Sequence, residues 1–214
     1  MLLEAQARKS RSIAVLQAEA VPYIDHLPAI ETETESHRRT AKEVALRAMA
    51  LCFVAVKGEG LDQSIIDYLV TQYAIADSFT PKERHFIRDP FPTQQDRIQF
   101  CWRYESYWVL LWALNFIKVL RRPDHLCDVP RSVSILRDLG RDGCLASARL
   151  RPQADILDAA DLIYRYDWAV VEARIKGQVA PAGLDAGVVL ERHYALNWLI
   201  GYRDQAWYDI STDT

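Results

Sequence analysis

The sequence predicts an all-α protein, and three observations support that fold class. Helix-capping sequences recur along the chain, apolar residues repeat at helical spacing, and the alternating pattern of strands is nearly absent. A chain of 214 residues can bury a core without disulfides or metals. We therefore expect one domain: a multi-helix bundle with an extended N-terminal arm (1–36), a helical core (37–206) and a docked C-terminal tail (207–214).

The N-terminal arm is predicted from its prolines and its acidic end. A short helix is expected around Ile13–Ala18. Pro22 and Pro28 follow it, and proline favours extended backbone both at its own position and at the residue before it. The string "ETETES" then predicts an acidic loop that leads into the first core helix.

The first core helices are marked by residues that cap helix ends. Thr40 and Glu43 have the spacing of a capping box, and Gly58 is a suitable residue for the end of that helix. Asp62 is expected to start a second helix that continues through Tyr73.

The same capping device recurs at Thr80 and Glu83, with Pro81 at the first helical position, where proline is favoured. Thr93 then predicts one long helix over 94–117. The later helices begin at Pro or Asp and end at Gly. They are expected from Pro130 or Arg131 to Gly140, from Pro152 to Gly177, and from Asp185 to Gly201.

Composition argues against several classes of protein. A net charge of −3 and a pI near 6.0 do not favour a nucleic-acid partner, which needs a concentrated positive surface. The longest apolar runs are shorter than the roughly 20 residues that span a bilayer, so no membrane is expected. The four cysteines form no CxxC pair and the N-terminus has no apolar signal segment, which favours free thiols, no metal and a cytoplasmic location.

Polar residues interrupt three of the predicted apolar helices. Glu105 lies in the helix over 94–117, Asp161 and Arg165 are four apart in the next long helix, and the last helix carries the remainder. We expect these side chains to converge if the three helices pack together. The candidate cluster consists of Glu105, Asp161, Arg165, Arg192, His193 and Asn197.

Two interpretations of the candidate cluster stay open. Buried polar groups must pair with one another, so the cluster can be a structural network that fixes how the helices align. It can also line a pocket that binds a ligand or performs catalysis. The six tryptophans allow the same two interpretations, as core packing or as an aromatic wall for an apolar or cationic ligand.

Established catalytic motifs are largely missing. The sequence has no phosphate-binding glycine loop, no GxSxG and no HExxH. Asp158 and Asp161 can share a helical face and hold Mg²⁺, but the second acidic pair that such enzymes use is not found. A nucleophile–base pair of Cys101 or Cys127 with His193 is a further, less favoured, possibility.

Several long strings of the sequence resemble one known family. They include "DRIQFCWRYE", "DLIYRYDWAVVEAR", "GVVLERHYALNWL" and the closing "WYDISTDT". The chain resembles, over nearly its whole length, the bacterial domain-of-unknown-function family numbered 4272. That resemblance implies a single domain and a structured tail, and it brings no activity, cofactor or catalytic residue.

The leading functional hypothesis is a non-enzymatic binding or interaction module in the cytoplasm, without a cofactor, that recognises a protein partner or a small molecule. The alternative is a hydrolase-like enzyme acting on an anionic small molecule. In that enzyme Glu105, Asp161 and His193 would act as acid, base or metal ligands, and Arg165 or Arg192 would hold the anionic group.

Overall fold

The computed structural model describes residues 2–214, with side chains from residue 3 onward, and every regular element in this range is helical. The all-α prediction is thus confirmed. None of the described helices is both long and apolar enough to cross a bilayer. The α-helices are α1 (Leu2–Ala18), α2 (Ala41–Glu59), α3 (Gln63–Gln72), α4 (Pro81–Arg88), α5 (Gln94–Cys101), α6 (Arg103–Ala113), α7 (Val129–Ser147), α8 (Gln153–Ile175) and α9 (Ala186–Ile200).

The chain divides into two compact units. Among the described residues, the first unit comprises 2–39, 121–126 and 151–214, and the second comprises 40–120 and 127–150. In the first unit, α8 packs against both α9 and α1. In the second, α2 packs against α3, α4, α5, α6 and α7. The prediction of a single domain stays a prediction.

The second unit is organised around α2, whose apolar residues are almost all buried. Leu51 and Val54 are fully buried, as expected for a helix with neighbours on several sides. Arg47 is also buried in α2, and its guanidinium donates to the Glu83 carboxylate at 2.6 Å. Glu83 also completes the predicted capping box at the start of α4, so one carboxylate links the two helices.

The first unit has well-defined helix ends around α9. The Asp185 carboxylate accepts hydrogen bonds from the backbone amides of Gly187 and Val188, as predicted for a cap. Gly201 ends the helix in the left-handed conformation, at φ 71°. The carbonyl of Ile200 then accepts a hydrogen bond from the His37 amide at 3.0 Å, which fastens the end of the arm to the end of α9.

The arm is more helical than predicted, because α1 extends from Leu2 and not from about Ile13. Its buried face includes Arg8 and Ser12 between Ala5 and Leu16. Apolar periodicity does not predict a helix over this segment, because half of its buried face is polar.

The end of α2 also differs from the prediction. Gly60, and not Gly58, ends the helix, at φ 107°. Gly58 lies inside α2 at a close contact with α5, where a Cβ would lie 2.8 Å from the carbonyl oxygen of Arg97 and 2.9 Å from the sulfur of Cys101. The glycine therefore permits close packing of two helices and does not end one.

The prediction of one continuous helix over 94–117 is wrong. The segment forms two helices, α5 and α6, separated by a tightened turn at Trp102, whose carbonyl accepts from the Glu105 amide three residues later. Helical structure also ends earlier, at Ala113. The predicted helix ending at Gly140 continues instead to Ser147 after a break at Gly140, which has φ 64° and ψ −177°.

We expect Gly201→Ala to destabilise the protein more than Gly177→Ala. Both glycines have positive φ, 71° and 66°, and an alanine in that conformation costs roughly 1–2 kcal/mol. At Gly201 a Cβ would also lie 2.5 Å from the His37 Cβ and 2.7 Å from its carbonyl oxygen, whereas a Cβ at Gly177 would point into open space.

The clash should add about 1–3 kcal/mol to the free-energy loss of Gly201→Ala, since the backbone of His37 must move. Denaturant unfolding of the two variants and the unsubstituted protein measures the difference. Equal losses of stability would contradict the close approach of Gly201 and His37.

Candidate functional site

A chain of buried hydrogen bonds joins α8, α9 and the tail in the first unit. The Asp167 carboxylate lies 2.9 Å from Nδ1 of His193, and Nε2 of His193 lies 3.1 Å from the side-chain nitrogen of Asn197. That nitrogen also donates to the carbonyl oxygen of Ser211 at 2.9 Å. His193 is 1% exposed and Asn197 is 6% exposed, so the contacts of His193 are buried, whereas the contact of Asn197 with Ser211 is partly buried.

The partners determine the direction of each bond. The Ser211 carbonyl only accepts, so the Asn197 amide must present its NH₂ group there, and its second hydrogen points to Nε2 of His193. Nε2 then accepts and Nδ1 carries the proton that is donated to Asp167. The network is therefore satisfied by a neutral imidazole protonated on Nδ1.

A cavity of about 1360 Å³ in the first unit exposes part of this network. His193 and Asn197 line it, together with residues from α1, the arm, α8 and the tail. The described lining is Leu3, Ala5, Gln6, Pro28, Ala29, Ile30, Glu31, Thr32, Glu35, Tyr164, His193, Asn197, Ile200, Tyr202, Arg203, Asp213 and Thr214.

The arm forms one wall of the cavity, and buried cations hold it in place. The Arg8 guanidinium donates to the carbonyl of Glu31 at 2.9 Å and contacts the Asp158 carboxylate at 3.2 Å. The Arg165 guanidinium donates to the carbonyl of Pro28 at 3.0 Å. Because both contacts are partly buried and each carbonyl accepts from a buried guanidinium, they define where the arm runs.

Asp161 and Arg165 pair with each other, and neither residue belongs to the described cavity lining. Two hydrogen bonds of 2.8 and 2.9 Å join them, and both side chains are almost fully buried. The predicted pairing four residues apart is thus present in the structure. Nη1 of Arg165 is buried and has no hydrogen-bond partner among the described residues.

The other two residues of the candidate cluster lie elsewhere. Arg192 donates from its guanidinium to the carbonyl of Arg121 at 2.6 Å. Glu105 belongs to the second unit, where its carboxylate accepts from the amide of Cys127. Of the six predicted residues, the structure places His193 and Asn197 at the cavity, and the convergence of Glu105 with them stays a prediction.

Sequence reasoning missed Asp167, the residue that orients His193. Asp167 begins the otherwise apolar string "DWAVV", six residues after Asp161. An acidic residue in such a string could have identified it as a candidate. Sequence reasoning also missed Glu31 and Tyr202 at the cavity, because both lie outside the α-helices and no helical periodicity predicts their neighbours.

The magnesium hypothesis for Asp158 and Asp161 finds no support. Asp158 pairs with the guanidinium groups of Arg8 and Arg11, and Asp161 pairs with Arg165, so neither carboxylate is available in this arrangement. Across residues 2–214, no group of three or more His, Cys, Asp and Glu side chains is placed to hold a metal ion.

The cysteines are free thiols in the described part of the chain, and all four belong to the second unit. Burial raises the pKa of the Cys101 thiol and raises that of Cys52 to about 12. Cys127 instead donates weakly to the carbonyl of Tyr104 at 3.6 Å. A raised pKa leaves less thiolate at neutral pH, which weakens the hypothesis of a catalytic Cys101.

The tail docks through an aromatic group, consistent with the predicted docked tail. Trp207 is buried and lies edge-on to Tyr194 and Trp198, with ring centroids 5.1 and 5.3 Å away. Arg39 lies over the Trp198 ring at 4.8 Å and donates to the carbonyl of Gln205. The described cavity lining contains no tryptophan, so Trp198 and Trp207 serve packing here.

A model of the family described as Domain of unknown function (DUF4272) matches residues 8–210, and the chain belongs to that family. No curated protein and no solved structure matches the chain. The family description assigns no activity or ligand, so the function has to be argued from the geometry of the site.

We expect His193 to be protonated on Nδ1 and unprotonated on Nε2 in the folded protein. Long-range ¹H–¹⁵N correlation spectra under mildly alkaline conditions distinguish the two ring nitrogens directly. Asp167→Ala should change the spectrum of His193, because its Nδ1–H loses the acceptor, and should leave the exposed His26 unchanged. A proton on Nε2 of His193 would contradict the assigned network.

Proposed function

We propose that this member of the DUF4272 family is a binding module for a small molecule, which occupies the cavity of the first unit. The single observation that carries the proposal is the exposure of buried polar groups of α9 to a large cavity. Its volume of about 1360 Å³ is sufficient for a small molecule, since ordinary ligand sites measure roughly 300–1,000 Å³.

The composition of the lining supports this proposal. Apolar side chains such as Pro28, Ile30 and Ile200 provide area for burial, while His193 and Asn197 provide a few oriented polar groups. Ligand sites in proteins combine these two features. The polar groups are held by partners outside the lining, Asp167 and Ser211, so they do not need to reorganise when a ligand binds.

We further infer a cytoplasmic location in a bacterium. The four free cysteines suit a reducing compartment, and the resemblance of the sequence is to a bacterial family.

The proposal predicts ligand stabilisation that depends on the cavity. A chemically diverse set of metabolites, screened by thermal unfolding, should contain compounds that raise Tm, since binding to the folded state stabilises it by mass action. Ala29→Trp places a large side chain in the lining and should abolish these shifts. Ala14→Trp, at an exposed position of α1 outside the lining, is the matched control and should retain them.

Two results would contradict a binding site in the cavity. One is a screen in which no compound raises the Tm of the unsubstituted protein. The other is a set of shifts of the same size in the Ala29→Trp variant.

A second candidate function, a hydrolase-like enzyme, is favoured by the Asp167–His193 pair. A carboxylate that holds Nδ1 leaves Nε2 as the basic atom, which is the arrangement of a histidine general base. The described lining contains no serine or cysteine, and the hydroxyl of Thr32 donates to the Glu35 carboxylate, so we assign the role of nucleophile to water. Nε2 would first have to exchange its contact with Asn197 for that water.

Under this second hypothesis, hydrolysis of chromogenic phosphate and carboxylate esters should be lost in His193→Ala and kept in His26→Ala. His26 is exposed and lies outside the described lining, so it controls for hydrolysis by surface histidines. A rate change of roughly 10²–10⁴-fold is typical for removal of a general base. Equal rates in the two variants would exclude His193 as the catalytic base.

A further inference from the structure

We infer that the ligand of the first-unit cavity carries a protonated amine beside an apolar body. The inference rests on the proposed function and specifies the chemical class of its ligand. Three features of the described lining lead to it: an unused carbonyl on Asn197, an unpaired carboxylate on Glu31, and an excess of acidic side chains.

The first feature is the side-chain oxygen of Asn197. Its NH₂ group is committed to His193 and Ser211, as shown by the two contacts at 3.1 and 2.9 Å. Its oxygen Oδ1 has no hydrogen-bond partner among the described residues, yet it is not one of the polar side-chain atoms sealed from solvent. Asn197 lines the cavity, so this accessible oxygen is an acceptor available to a ligand that occupies it.

This orientation selects for a donor on the ligand. The amide cannot rotate by 180° without placing its oxygen against the Ser211 carbonyl, which has no hydrogen to donate. A ligand that presents only acceptors would leave Oδ1 buried and unpaired, which is unfavourable. The site therefore favours N–H or O–H groups near Asn197.

The second feature is the carboxylate of Glu31, a half-buried residue of the lining. Its backbone carbonyl is held by Arg8, but its side chain has no ion pair or hydrogen bond with the described residues. A carboxylate next to a cavity favours a cation as its partner. The Glu31 carboxylate therefore favours a ligand with a charged donor over one with a neutral donor.

The third feature is the charge of the lining as a whole. It contains the carboxylates of Glu31, Glu35 and Asp213 and one cationic side chain, Arg203, which already pairs with Asp213 at 3.2 Å. The hydrogen bonds from Thr32 to the Glu35 carboxylate lower its pKa and keep it ionised. An anionic ligand would meet this negative potential, whereas an amine is attracted by it.

The apolar part of the ligand follows from the remaining lining. Tyr164, Ile200, Ile30 and Pro28 offer aromatic and aliphatic surface.

Three probes with the same phenyl ring test the inference: 2-phenylethylamine, 2-phenylethanol and 3-phenylpropanoate. Calorimetric or NMR titration of the full chain should give a dissociation constant for the amine about tenfold lower than for the other two, as expected for a charge-assisted contact. Glu31→Gln should remove most of this preference without changing binding of the alcohol. Glu33→Gln, which alters an exposed carboxylate outside the lining, is the matched control and should keep it.

The outcomes separate this inference from the proposed function. If the alcohol or the carboxylate binds as tightly as the amine, or if Glu31→Gln keeps the preference, the amine inference is wrong while small-molecule binding in the cavity stands. If none of the three probes binds, the inference is also rejected, and the proposed function is then judged by the metabolite screen alone. Circular dichroism of each variant confirms that the fold is intact.

Discussion

Three buried polar side chains of α8 and α9, Asp167, His193 and Asn197, are joined by hydrogen bonds to one another and to the tail. Asp167 needs a donor and receives it from His193; Nε2 of His193 needs a donor and receives it from Asn197; the second hydrogen of Asn197 reaches the carbonyl of Ser211. Leaving one such group unpaired costs about 1–3 kcal/mol, so the chain of bonds fixes the rotamers of three side chains and the position of the tail together. The geometry of the cavity depends on this constraint.

The same rule explains why the irregular arm has a defined course. Its carbonyls at Pro28 and Glu31 accept from the buried guanidinium groups of Arg165 and Arg8. Each guanidinium also contacts a carboxylate on α8, Asp161 or Asp158, so its charge is compensated. The buried cations thereby position the segment from Pro28 to Glu35, and that segment forms one wall of the cavity.

The two candidate functions use one arrangement of atoms in different ways. A binding module needs the Asp167–His193–Asn197 chain to stay closed, so that the amide oxygen of Asn197 faces the ligand. A hydrolase needs the same chain to open at Nε2 and admit water. The acidic lining around Glu31 and Glu35 opposes an anionic substrate, which was part of the enzyme hypothesis, and favours the first function.

The sequence by itself determined the fold class and most helix starts, because capping is decided within a few residues. Thr40, Thr80 and Asp185 cap the helices that they were predicted to cap. It also identified His193 and Asn197 as unusual, since both are polar residues in an apolar helix. Local patterns suffice wherever the interacting groups lie within one or two helical turns.

Only the tertiary structure decided which polar residues meet. Helical spacing gives the face of its own helix on which a residue lies, but it does not give the element that this face contacts. Glu105 and Asp167 are both carboxylates in apolar helices, yet the first caps the amide of Cys127 in the second unit and the second orients His193. Glu31 reaches the cavity because distant cations hold the arm, a constraint that no local pattern contains.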